Sequence, residues 1–341
     1  MGIYVLQGGL LTTVQDLGRF SYQQQGVSPG GAMDSRSFRL ANYLVGNREN
    51  EAGLEATLMG PTLRFTTPAV FAVTGGDLCP CLNGVPVDMY RAVRAKAEDT
   101  LSFRGVKSGC RSYIAFAGGL DIKPVMGSRS TLLRGGIGGF EGRKLKTGDQ
   151  IGFRIPVQNL DELEARQIPP EDFSQDTVTL RILPGPQEDR FTEAAMQTLL
   201  HECYTVTPQS DRMGCRLDGP KLEHTTDANI ITDGIALGSI QVPGNGLPII
   251  MLSERQSTGG YTKIANVITV DIPNLAQCKP GSKIRFRQVT LEEAHRLYRQ
   301  QHAYLQKWKQ RFGRKEYLEV WKIVEEDGFS IKLESVELKE D

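Results

Sequence analysis

"RSYIAFAGG", residues 111–119, is a run of β-prone side chains stopped by two glycines. Tyr113, Ile114 and Phe116 favour a pleated, half-buried surface, and Gly118–Gly119 punctuates the run. Similar short runs recur along the chain: "VFAV" (70–73), "TLSF" (100–103), "TLRIL" (179–183), "PIIML" (248–252) and "VITVDI" (267–272). They are separated by glycine and proline turns and not by regular helices, which predicts a mainly β chain built as barrels or sandwiches. Thirty-seven glycines in 341 residues, well above the usual ~7 %, fit a protein made of tight turns.

A weak internal echo points to duplication. "KAEDTLSF" (96–103), "LKTGDQIGF" (145–153) and "CKPGSKIRF" (278–286) each place a turn before a strand ending in Phe. The length alone favours two compact units. Between them "PVQNLDELEARQIPPEDFSQD" (156–176), rich in acids and holding a double proline, reads as a linker. The expected division is a first β-barrel domain over 1–155, the linker 156–176, a second barrel over 177–289 and a helical tail over 290–341.

A few short helices interrupt the strands. "DSRSFRLANYLVGN" (34–47) offers Asp34 as N-cap, an apolar face of Phe38, Ala41, Leu44 and Val45, and Gly46 as terminator. "EDRFTEAAMQTLLHE" (188–202) carries Phe191, Ala195 and Leu199 on one side. Thr290 and Glu293 form a capping box ahead of the charged helical run 291–312, and "FSIKLESVEL" (329–338) reads as a closing strand or docking extension.

Composition excludes several classes. Lys+Arg and Asp+Glu are both 40, so no net field draws the chain to nucleic acid or an anionic membrane. No run of about 18 apolar residues predicts a membrane span, and the first residues lack the pattern of a secretory signal. The six cysteines lack zinc-site spacing and the four histidines form no cluster, so no metal site is expected and the thiols read as reduced in a cytoplasmic protein. Neither a phosphate-binding G-x-x-x-x-G-K-[ST] loop nor a G-x-S-x-G elbow occurs. No Met-Lys pair is present to carry biotin.

What remains is a set of polar, glycine-rich segments. The first, "LTTVQDLGRFSYQQQGVSPGGAMD" (11–34), holds little that a core would take up. Others are "GSRST" (127–131), "GGIGGFEGR" (135–143), "SDRMGCRLDGP" (210–220), "GSIQVPGNGLP" (238–248) and "SERQSTGGY" (253–261). Glycine lets a backbone approach a ligand, and neighbouring Arg, Gln or Ser supplies donors, so a carboxylate or phosphate is the natural guest. Arg129, Arg143, Arg212 and Arg255 beside such glycines strengthen that reading, while turn-stapling is the bland alternative. Asp34 reads first as a helix cap, Asp16 equally as a bridge to Arg19 across a turn or as a site residue, and Glu55 first as the partner of an arginine that holds the fold, with a buried carboxylate of raised pKa suited to proton transfer as the alternative.

Taken in order, "TTVQDLGR", "GGAMD", "ANYLVGN", "LEATLMGPTLRF", "AFAGG", "GSRST", "GPQ", "DRMGCRLDGP", "IQVPGNGLPI" and "RQSTGGY" resemble the family of 5-oxoprolinase C subunits, also called allophanate hydrolase subunit 2 or kinase-inhibitor antagonist. The resemblance runs from about residue 3 to residue 289. It implies two tandem cyclophilin-like β-barrels and association with the A and B subunits of a 5-oxoprolinase complex, with ATP as cosubstrate of the complex, to open 5-oxoproline to L-glutamate. It implies two alternatives as well: the carboxyltransferase component of a biotin-dependent, urea-type carboxylase, or a non-enzymatic antagonist of a histidine-kinase inhibitor.

Phosphorylating the lactam oxygen would turn it into a leaving group, a step that needs cations over the phosphate and donors on the substrate. Arg129, Arg212 and Arg216 are the expected cations. Gln241, Gln256, Thr258 and Tyr261 are the expected substrate contacts, with Asp34 transferring a proton. The family's "DRQTTGGY" is here "ERQSTGGY", with Glu254 and Ser257 keeping charge and donor type.

Overall fold

The computed structural model describes residues 1–155, 160–312, 317–324 and 330–337, the last two as backbone only. Residues 1–155 form two antiparallel sheets. One has the order Gln150–Gly152, Gly2–Gln7, Thr62–Phe65, Thr100–Phe103, Pro80–Leu82, Val85–Pro86; the other runs Leu11–Gln15, Gly53–Thr57, Ser108–Phe116, Ala69–Asp77, Ala92–Ala95. Their facing side chains, including Ile3, Val5, Leu63 and Phe65 from one and Val14, Leu54, Phe71 and Phe116 from the other, make one core. Residues 111–116 of the opening stretch belong to the central strand of the second sheet, Ser108–Phe116, which is paired on both sides and therefore almost wholly buried.

The second unit is a closed barrel: Thr177–Pro184, Lys263–Val267, Ser239–Gln241, Ile249–Met251, Gly214–Asp218, Tyr204–Val206 and Lys283–Gln288. Its closing pair, Thr177–Pro184 with Lys283–Gln288, is parallel, while the other pairs are antiparallel. Closure leaves no edge to aggregate. A separate ribbon, Asn229–Gly234 with Thr258–Tyr261, lies outside the barrel sheet.

Four α-helices are present among the described residues: α1 (Ser35–Leu44), α2 (Glu193–His201), α3 (Ile272–Ala276) and α4 (Leu291–Phe312). Asp34 caps α1, accepting from the Ser37 N–H at 2.9 Å. Beyond the expected apolar face, Leu40, Asn42 and Tyr43 are buried too. The reason is α4, which returns from the second unit and packs Leu305 and Trp308 into the cluster around α1. In the second expected helix Thr192 supplies the cap to Ala195, so α2 starts five residues after Glu188. At α4 only half of the capping box forms: Thr290 Oγ1 accepts from Glu293 N at 3.2 Å, while the Glu293 carboxylate pairs with Arg287 at 2.8 Å. The tail also contains a hairpin, Tyr317–Val324 with Ser330–Glu337, which includes the strand read in 329–338.

Two expectations change. The polar stretch 11–34 is largely interior: Thr12, Thr13, Gln15, Asp16, Arg19, Met33 and Asp34 are all buried. Partners far along the chain satisfy most of these polar groups, which is what burial of a polar side chain requires. The segment 160–176 is no free tether either. Leu163 and Ile168 are buried beside α1, and Arg166 donates to the Phe312 carbonyl at 2.6 Å.

Candidate functional site

The two units meet along a polar seam. Arg212, in the turn before strand Gly214–Asp218, donates from Nε to Glu254 Oε1 at 2.6 Å, from Nη2 to the Gly31 carbonyl at 2.6 Å, and from Nη1 to Glu55 Oε1. The other Glu55 oxygen accepts from Met33 N at 2.8 Å. Burial by itself would depress the Arg212 pKa, but the Glu55 and Glu254 carboxylates raise it above its ordinary value. All three guanidinium nitrogens are thus committed to protein acceptors, which opposes the anion-binding role expected of Arg212. The Glu55 reading as an arginine partner holds.

Asp34 lies at the same seam. Besides the Ser37 N–H, its carboxylate accepts from Ser37 Oγ at 2.6 Å and from Gln277 Nε2, of the second unit, at 2.9 Å. It is fully enclosed. That placement makes it a cap and a weld between units and opposes direct proton transfer to a substrate. Arg129 is half-buried in the first unit, with Nε on the Ile122 carbonyl at 3.0 Å and its N–H on Asp16 Oδ2 at 2.6 Å, and it lies outside the cleft described next. Arg143 pairs with Asp149 at 2.8 Å, and Arg255 donates to the carbonyls of Ile235 and Leu252. Arg129, Arg143 and Arg255 thus staple their own surroundings, while Arg212 ties three separate segments together.

The second unit carries an open cleft of about 570 Å³ in which four of the expected residues converge: Arg216, Gln241, Gln256 and Tyr261. Arg216 projects from strand Gly214–Asp218 and is exposed, and Gln241 ends strand Ser239–Gln241. Tyr261 closes the outer ribbon. Asp211, Gln209 and Asn245 add polar groups to the rim, and Met213, Ile249 and Met251 form an apolar floor. Thr258, on the same ribbon, is exposed and does not line the cleft.

Gln241 is the most telling of the set. Its side chain is 5 % exposed and its Nε2 has no hydrogen-bond partner. A buried donor left unmade costs about 1–3 kcal/mol, so an acceptor that reached Nε2 from the cleft would be favoured. Gly259 makes room for it, since a Cβ there would come within 2.9 Å of Nε2 and 2.6 Å of Ile235 Cδ1. The arrangement suits a small molecule with an anionic group for Arg216, a carbonyl oxygen for Gln241 and an apolar body for the methionine and isoleucine floor. Among the described residues no cluster could hold a metal, all six cysteines are unpaired, and no helix is long and apolar enough to cross a membrane.

Among known proteins, the carboxyltransferase domain family, subdomains A and B, matches residues 25–288. The C subunit of the 5-oxoprolinase of Escherichia coli (strain K12) is 40 % identical over 304 residues, which cover 89 % of this chain and 96 % of that protein. Its counterpart in Haemophilus influenzae is 38 % identical over 293 residues, 86 % of this chain and 93 % of its own. The urea amidolyase of Saccharomyces cerevisiae is 33 % identical across 85 % of this chain, but the match takes up 17 % of that longer protein. Among solved structures, K. lactis urea amidolyase superposes with a TM-score of 0.82 at 33 % identity, over 90 % of this chain and 20 % of its own.

Proposed function

The chain belongs to the carboxyltransferase domain family, subdomains A and B, and from that premise we propose that it serves as the C subunit of an ATP-dependent 5-oxoprolinase. The observation that carries the reading is the 40 % identity with the C subunit of the Escherichia coli 5-oxoprolinase over 89 % of this chain and 96 % of that protein. Its partners are then the A and B subunits of that enzyme, and ATP is the cosubstrate of the assembled complex. In this reading Arg216 holds the substrate carboxylate, Gln241 donates to the lactam oxygen, and Gln256 and Tyr261 border the ring. Activation of that oxygen by phosphate calls for donors already in place, so that little reorganisation accompanies the charge that develops.

The test is reconstitution. Glutamate release from 5-oxoproline and ATP is expected only when this chain is combined with the A and B subunits, and the chain alone should be inactive. In the complex, Arg216→Ala removes a charge-assisted contact of about 1.5–3 kcal/mol, equivalent to roughly one to two decades of affinity or rate. Turnover unchanged by that substitution would move the substrate elsewhere. The likeness to urea amidolyase supports a second reading, a carboxyltransferase acting on carboxybiotin supplied by another chain. Carboxylation of urea on adding a carboxylated biotin carrier, with no response to 5-oxoproline, would favour it.

A further inference from the structure

Among the described residues that line the cleft, two are charged, Asp211 and Arg216. Their charges cancel, so the lining by itself gives an anion no advantage over a neutral molecule of the same shape. Lys263, opposite Gln241 in the barrel ladder, adds no net charge, since Asp233 matches it at 2.9 Å. Asp211 is moreover fixed: its Oδ1 accepts from the N–H groups of Met213 at 2.8 Å and Gly214 at 3.0 Å. A rim carboxylate held in this way would repel the carboxylate of a substrate.

The balance is tipped from the other unit. Arg134 of the first unit places Nη2 3.5 Å from Asp211 Oδ2. It sits in a turn closed by Gly136 N donating to the Leu133 carbonyl at 3.2 Å and by the pairing of Leu132 with Ile137. The glycines that follow pack this loop too tightly for side chains: a Cβ on Gly139 would collide with Thr131 Oγ1, and one on Gly142 with the Gly136 carbonyl. The backbone is thus pinned while the guanidinium stands 61 % exposed. Its separation from Asp211 is longer than an ordinary hydrogen bond, so its donors stay open to an incoming anion. With Arg134 counted, the cleft carries one net positive charge.

We propose that Arg134 is a specificity-determining residue of the cleft: by neutralising Asp211 it leaves Arg216 uncompensated, and so selects an anionic ligand over its neutral counterpart. This rests on the reading of the cleft as the place of an anionic substrate, and it makes that site incomplete without the first unit. Because both partners are half exposed or more, the pair adds little to the stability of the fold, and Arg134→Ala should fold.

The full chain, deuterated and labelled with ¹⁵N, is exposed at low salt to two nitroxides of one shape, the first bearing a carboxylate and the second a carboxamide. Relaxation of the Gly259 and Gly260 amides, which line the cleft, reports the local concentration of each probe. The anionic probe should be enriched over the neutral one in the native chain. Arg134→Ala should lower that ratio about two- to fivefold, the scale of one solvent-exposed charge, and added salt should shrink the difference. Arg134→Lys should keep most of the ratio, because a field needs the charge and not the planar fork. Asp211→Asn added to Arg134→Ala should restore it, since the amide oxygen still accepts from Met213 and Gly214. A ratio unchanged in Arg134→Ala, or a loss that Asp211→Asn does not restore, overturns the proposal. In an active reconstituted complex, Arg134→Ala should raise KM for 5-oxoproline by a similar factor with kcat held, and an unmoved KM overturns the proposal as well. The nitroxide measurement involves no turnover, so it decides the role of Arg134 even if the complex does not open 5-oxoproline; a native complex without turnover counts against the 5-oxoprolinase reading alone.

Discussion

Gln241 sets function against stability at a single amide. Gln241→Leu keeps the volume of the side chain while removing an unpaired buried donor, so the isolated chain should melt at an equal or higher temperature. In the reconstituted enzyme the same change should cost up to about one decade of turnover, the worth of a hydrogen bond to a neutral lactam oxygen of roughly 0.5–1.5 kcal/mol. A lower melting temperature with unchanged turnover would make Gln241 structural. Much of this cleft was legible in the sequence, because Arg216, Gln241, Gln256 and Tyr261 stand in or beside the glycine-rich segments that the motifs single out. Arg19 was not legible. Asp16, read as its partner across a turn, is instead captured by Ser128, Arg129 and Ser130, more than a hundred residues away, and no local spacing reports that. Arg212 misled for the same reason: its acceptors Gly31, Glu55 and Glu254 come from three separate segments.

Elements placed by local rules, such as α1 with its Asp34 cap, were readable, whereas those fixed by distant pairing were not. The parallel closure of the barrel and the docking of 160–176 belong to the second kind. In that docked segment Glu171 lies 2.9 Å from Arg36 Nε. Burial drives its pKa up, Arg36 pulls it back and Asp34 raises it again, leaving it at about 7 against an ordinary 4.5. The folded chain therefore keeps a proton that the unfolded chain releases between those values. This contribution to stability is fully present below about 4.5 and is lost as pH rises through about 7. Denaturant midpoints measured from pH 4.5 to pH 8 should fall more steeply for the native chain than for Glu171→Gln, which stays neutral. Parallel curves would mean that Glu171 titrates as an ordinary carboxylate. The same docking predicts slow proteolysis within 160–172, where an exposed linker would be cut first.

At the scale of the whole molecule the seam decides whether two units behave as one. Met33 of the first unit sits in the core cluster of the second, α4 of the second packs on α1 of the first, and Arg212 with Glu55 and the Gly31 carbonyl, and Gln277 with Asp34, hydrogen-bond across the junction. Separate folding of 1–155 and 177–289 would strip partners from these buried polar groups. We therefore expect one cooperative calorimetric transition, where loosely tethered barrels would give two. Arg212→Ala is the sharper probe: it leaves Glu55 and Glu254 buried without their cation, a loss of about 3–5 kcal/mol for breaking such a pair from one side. The expected outcome is a melting point lower by several degrees, or transitions that separate as the seam loosens, with turnover per folded complex retained. A variant that keeps its melting temperature while losing turnover would place Arg212 on the substrate instead, and the seam's cohesion would then rest on the Asp34–Gln277 contact and on α4.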